Sequence, residues 1–119
     1  MSTLVLGSRT HWRWAFAICL VVVLVLALMP PRFPMPSTGW DKANHVLAFT
    51  VLAILGHRSY PQRTLPALLG LLAYGGAIEL LQGLTDYRSA EWLDLAADGV
   101  GLVFGLALTQ VQGRMRGLR

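Results

Sequence analysis

Four apolar runs, residues 14–29, 42–56, 65–84 and 93–111, take up most of this 119-residue chain, and only short polar or Pro-rich pieces separate them. Runs of that length and spacing constrain the fold more than any motif does. The chain is 55% hydrophobic and 13% charged, more apolar material than the interior of a soluble domain this small can hide. The expectation is an all-α, polytopic membrane protein with four transmembrane helices, each run approaching the roughly 20 residues that a span needs. Residues 14–111 form a single membrane domain, 1–13 a polar leader and 112–119 a basic tail.

The first run follows Arg9, His11 and Arg13 and ends at Pro30 and Pro31. A signal peptide is the rival reading, but the run ends Leu-Ala-Leu-Met-Pro-Pro with no small-x-small cleavage site. It is expected to be a lipid-facing buttress outside any site. Arg32 to Trp40 is a Pro-rich connection, and Trp40 suits the interfacial belt. The second run, opened by Asp41-Lys-Ala-Asn-His45, is short for a span and has to lean on its neighbours. Cys19 is a lone cysteine within the first run, which excludes a disulfide framework and a thiolate zinc site. The net charge of +4 comes from basic residues scattered between apolar runs, a topology signal with no basic stripe for nucleic acid. With both termini cytoplasmic, the inner segments hold Arg9, Arg13, Arg58, Arg63, Arg114, Arg116 and Arg119, and the outer ones hold only Arg32, Lys42 and Arg88. The positive-inside rule favours that orientation, in a bacterial cytoplasmic membrane.

All six acids, Asp41, Glu79, Asp86, Glu91, Asp94 and Asp98, then fall outside or at the outer ends of helices. An ionisable group inside a span costs roughly 2.5–3.5 kcal/mol on insertion scales, so Glu79 and Asp98 are expected to face protein or water. At 1.5 Å per residue, His45 lies about 6 Å and Asp98 about 7 Å beyond the starts of their helices, and Glu79 about 7 Å before the end of its own. They share one level. Asp94, Asp98, Gly101, Gly105 and Thr109 form one face of the last helix, and Gly101-x-x-x-Gly105 is a close-packing spacing. Leu72, Gly75 or Gly76, Glu79 and Gln82 form the corresponding stripe on the third helix, and Asp41, Asn44, His45 and Ala48 that on the second. The plainer readings are capping by Asp41 and Ser89, dipole compensation by Asp94, a satisfied core imidazole at His45, lipid-phosphate anchoring by Lys42 and Arg88, and an ion pair at Glu79. Asp86 and Glu91 suit a solvated turn, and His11 and His57 have no assigned role.

Asp41-Lys42-x-x-His45, Glu79-Leu-Leu-Gln82, Arg88 and Asp94-x-x-x-Asp98-x-x-Gly101, in that order, resemble the signature of VanZ-like membrane proteins over roughly residues 38 to 106. That family is helical and polytopic, and its namesake is associated with resistance to the glycopeptide teicoplanin. No settled biochemical activity comes with it. The resemblance marks Asp41, Lys42, His45, Glu79, Gln82, Arg88, Asp94 and Asp98; the family often has Asn at the last position, where Asp98 adds a potential charge.

Two functions follow as expectations. In one, the site binds an anionic envelope lipid, such as a lipid-linked cell-wall precursor: Lys42 and Arg88 meet phosphate, Glu79, Gln82, Asp94 and Asp98 orient those cations or accept bonds from sugar or peptide groups, and Asp41 joins the binding set. In the other, His45 and Glu79 carry acid–base catalysis on a lipid-linked substrate. No Ser or Cys joins the stripes, and Gly-x-Ser-x-Gly is absent. A metal-assisted variant would use His45, Glu79, Asp94 and Asp98, a set that selects no particular ion, so no metal or cofactor is assigned. Transport fits less well, because the polar residues gather at one end and do not line a path. The Gly stripe leaves a homo-oligomer open.

Overall fold

The computed structural model describes residues 2–29, 41–85 and 92–117. They form four α-helices, α1 (Ser2–Leu28), α2 (Asp41–Ser59), α3 (Thr64–Gly83) and α4 (Trp92–Gly117), with a 3-10 turn at Pro61–Arg63 leading into α3 and no strand among the described residues. The helices begin and end where local chemistry allows. Pro66 lies in the first turn of α3, where its missing N–H has no helical partner to lose. At the other end, backbone N–H groups of Leu84 and Thr85 donate to the carbonyls of Leu81 and Gln82, and the Thr85 hydroxyl donates to Gln82 O at 2.8 Å.

Two helices outrun their apolar cores. α1 extends back through the polar leader to Ser2, and α4 runs six residues beyond the apolar run, to Gly117. Arg, Gln and Met are good helix formers, so loss of hydrophobicity does not by itself end a helix. The Pro-rich connection with Trp40 and the turn carrying Asp86, Arg88, Ser89 and Glu91 lie outside the described residues.

Among the described residues, three segments are long and apolar enough to cross a membrane: Thr10–Leu28, Pro61–Gly83 and Trp92–Met115. Their outward faces agree. Trp14, Ile18, Val21 and Val25 on α1, Leu65, Leu69 and Leu80 on α3, and Val103, Phe104 and Val111 on α4 are exposed. In water each such side chain would forgo about 1.5–3 kcal/mol of burial, whereas lipid tails cover them at no such cost.

α2 is the least apolar of the four and the most enclosed. It packs on α1, α3 and α4, whereas α1 and α4 do not meet among the described residues. Phe49, Leu52 and Ala53 are essentially inaccessible and form the core with Leu71 and Leu102, flanked by Phe16, Leu20 and Tyr74. Expected and observed faces differ on α3, where Leu71 is buried and Leu72 is exposed. α3 is apolar all round before Glu79, so hydrophobicity there carries no facing information.

Side-chain links fix the directions. Lys42 reaches Asp94, His45 reaches Asp98 and Arg58 reaches Gln112, with the sequence offset staying between 52 and 54, so α2 and α4 run parallel and in register. Tyr74 donates to Leu20 O and Gln82 to Ala27 O, which makes α1 parallel to α3. Arg13 donates to Ser59 O, setting the first half of α1 beside the end of α2. The bundle is therefore up-down-up-down, and the start of α1 and the end of α4 lie at the same end.

Close approach of α2 and α4 depends on two glycines. A Cβ built on Gly101 would lie 2.5 Å from Val46 O, and one on Gly105 2.7 Å from Thr50 O and 2.5 Å from Ala53 Cβ. The hydroxyls on this seam are satisfied locally, Thr50 by Val46 O and Thr109 by Leu106 O, both at 2.7 Å.

Candidate functional site

A polar cluster forms where α2 and α4 begin and α3 ends. Lys42 and His45, three residues apart, share one face of α2; Asp94 and Asp98, four apart, share one face of α4. The parallel register turns these faces together. Lys42 Nζ donates to Asp94 Oδ1 at 2.5 Å, a charge-assisted bond, and His45 Nδ1 lies 2.7 Å from Asp98 Oδ1. The imidazole Nε2 is 3.8 Å from Asp94 Oδ2, beyond hydrogen-bonding range. The oxygens of Asp94 are thus divided, one on the ammonium and one toward the imidazole.

With Asp98 ionised and the ring neutral, Nδ1–H of His45 donates and Nε2 carries the lone pair, the tautomer needed for a base or a ligand. α3 supplies the third side. A potential ligand atom from each of His45, Glu79 and Asp94 lies within 4.8 Å of the others. Glu79, Asp94 and Asp98 are 7%, 4% and 1% exposed, whereas the Lys42 side chain is 22% exposed, so carboxylates form the floor and the ammonium the rim. α2 and α4 both begin here, so the partial positive ends of two helices face the cluster.

Gly75 makes room for this floor. A Cβ there would lie 2.5 Å from Asp98 Oδ2 and 3.2 Å from Phe49 Cζ, whereas Gly76 has nothing within 4 Å. The α3 stripe, which sequence left open between the two glycines, passes through Gly75. Gln82 is buried, and its amide Nε2 donates 2.8 Å to Ala27 O of α1, while its side-chain Oε1 accepts no hydrogen bond. The end of α1 therefore reaches the level of the site, although its outward face is exposed as expected of a buttress.

Of the eight residues picked from sequence, the structure brings Lys42, His45, Glu79, Asp94 and Asp98 together and sets Gln82 beside them on α3. Asp41 begins α2, but its side chain lies outside the described residues, and so does Arg88. Two contributors were missed. Phe49 follows His45 by four residues, so helical spacing alone was enough to find it. The Ala27 carbonyl has no side-chain signal. Comparison of the chain with models of known protein families, with curated proteins and with solved structures finds no match in any of the three.

Proposed function

We propose that this chain is a VanZ-like protein of the bacterial cytoplasmic membrane in which all four helices cross, both termini are cytoplasmic and the polar cluster opens at the outer face. There His45 acts as a base on the polar headgroup of a lipid-linked envelope substrate. Support for the membrane arrangement comes from the seven-to-three division of basic residues and the up-down-up-down order of the helices. α2, less apolar than the others, crosses inside the sleeve that its neighbours provide.

One observation carries the chemistry: the 2.7 Å contact between His45 Nδ1 and the buried Asp98 carboxylate, with Nε2 3.8 Å from Asp94 Oδ2. A buried carboxylate that fixes one ring nitrogen holds the tautomer and stabilises the imidazolium formed when the other nitrogen takes a proton. Glu79, on the same floor, is the partner that returns or accepts that proton. Lys42, at the rim, positions headgroup phosphate while Asp94 holds its ammonium. Altered envelope chemistry would change glycopeptide susceptibility as a consequence.

A second reading, headgroup binding without reaction, draws on a separate feature: two parallel helix N-termini and Lys42 converge here, a suitable setting for phosphate. The two are separated by incubating purified wild type, His45→Ala and Lys42→Ala with a total bacterial envelope-lipid extract and following bound and free lipids by mass spectrometry. Catalysis predicts a lipid whose mass changes with wild type alone, while His45→Ala retains it unchanged and Lys42→Ala retains less. Retention without a mass change in wild type would leave binding only. No retained lipid in any sample would refute both.

A further inference from the structure

The gap between His45 and Asp94 is the least explained feature of the site. At 3.8 Å, Nε2 and Oδ2 are too far apart to hydrogen-bond, yet each has its other polar atom fixed, Nδ1 on Asp98 and Oδ1 on Lys42. Glu79 closes the third side, one of its carboxylate oxygens lying within 4.8 Å of a ligand atom of His45 and of Asp94. Ligands about 2.1 Å from a common ion stand about 3–4.2 Å apart, from adjacent to opposite positions, so small side-chain adjustments suffice to enclose one. A further buried acceptor stands nearby: the Oε1 of Gln82, three residues from Glu79 along the same face of α3, in a side chain only 4% exposed, accepts no hydrogen bond.

We propose that this site holds one divalent transition-metal ion, Zn2+ or Mn2+, through His45 Nε2, Glu79 and Asp94 Oδ2. Imidazole with two carboxylates is a mixed nitrogen and oxygen set that suits such ions better than an all-oxygen cage for Ca2+. Asp98 is the positioning residue: by accepting from Nδ1–H it orients the ring and raises the basicity of Nε2. Lys42 has a second positioning role, holding Asp94 to ligation through one oxygen. Gln82 Oε1 is suited to accept a hydrogen bond from a water carried by the ion. The inference rests on the site reading above for where a lipid headgroup would meet the ion; an ion on Nε2 takes the lone pair that acid–base catalysis by His45 would use, so the two assign different chemistry to one site, and ion binding is measured apart from any reaction.

The test uses full-length protein in nanodiscs, stripped with chelator and dialysed against Zn2+ or Mn2+ alone. The expected result is one equivalent bound by wild type, affinity lowered at least about 100-fold by Glu79→Gln or Asp94→Asn, and lowered about 10–100-fold by Asp98→Asn, the usual cost of losing an outer hydrogen bond to a ligating histidine. Wild type alone supplies an independent reading, because bound Mn2+ should show nitrogen hyperfine coupling from one imidazole. No bound ion, binding unaltered in all three variants, or Mn2+ without nitrogen coupling would overturn the proposal. Lipid conversion by ion-free protein would overturn it and leave the acid–base reading standing; a bound ion without conversion would do the reverse.

Discussion

Replacing Gly101 by Ala tests whether the seam between α2 and α4 sets the geometry of the site. The added methyl would meet Val46 O at 2.5 Å, Phe49 Cβ at 2.9 Å and Thr50 N at 3.0 Å. Two of these are backbone atoms, so no change of rotamer relieves the contact and the helices must part. Restoring an ordinary contact distance of about 3.4 Å takes about 0.9 Å of separation. Overpacking of this kind costs about 1–3 kcal/mol. Val46 adjoins His45, and Asp98 lies one turn before Gly101, so the same displacement would stretch the 2.7 Å His45–Asp98 contact to about 3.6 Å, past the limit of hydrogen bonding. Gly99→Ala is the matched control, because nothing lies within 4 Å of its Cβ position and Ala favours a helix by about 1 kcal/mol over Gly. The assay is thermal unfolding of both variants in one detergent, with the imidazole Nδ1–H followed by NMR. Gly101→Ala should lower Tm by several degrees and weaken the Nδ1–H signal, while Gly99→Ala should leave the signal unchanged and hold or raise Tm. Equal behaviour of the two variants would refute the reasoning.

The remaining predictions address other contacts. Gly75→Ala drives a methyl to 2.5 Å from Asp98 Oδ2, so it should abolish lipid conversion in the mass-spectrometric assay, whereas Gly76→Ala, with open space around it, should retain it. Gln82→Leu removes the bond to Ala27 O and should cost about 1 kcal/mol in thermal unfolding, with faster hydrogen exchange at the end of α1. For topology, with Cys19 replaced by Ala, a cysteine at Thr85 should react with an impermeant thiol reagent added to intact cells and one at Arg114 should not; the opposite pattern would turn the site toward the cytoplasm.

The parts of this molecule that were legible in its sequence are those where polarity contrasts with an apolar background. On α4 the series Asp94, Asp98, Gly101, Gly105 and Thr109 lies wholly on the buried face, because its spacings of four, three, four and four keep to one side of a helix and bring both carboxylates onto it. The common level of His45, Glu79 and Asp98 followed from rise per residue and alternating direction. Where contrast vanishes, so does the signal. Before Glu79, α3 is apolar on every side, and its buried face was misjudged at Leu72 in favour of Leu71. α1 has no strongly polar side chain in its apolar run, so its attachment to α3 through the Leu20 and Ala27 carbonyls left no mark in the sequence. The division of Asp94 between Lys42 and His45 was also hidden, since spacing along a helix gives a face but not which oxygen meets which neighbour.

The most direct test of the polar cluster as a working site compares the effects of Glu79→Gln and His45→Ala on membrane abundance and on lipid conversion. Glu79→Gln exchanges a buried ionic group for a neutral one of the same shape, which is often neutral for stability, whereas His45→Ala takes a partner from the buried Asp98 and costs more. Glu79→Gln should therefore accumulate in the membrane at wild-type levels and His45→Ala should still insert, while conversion of the envelope lipid is lost in both. Failure of both to accumulate would contradict the account and make the cluster a structural ion network that holds α2, α3 and α4 together.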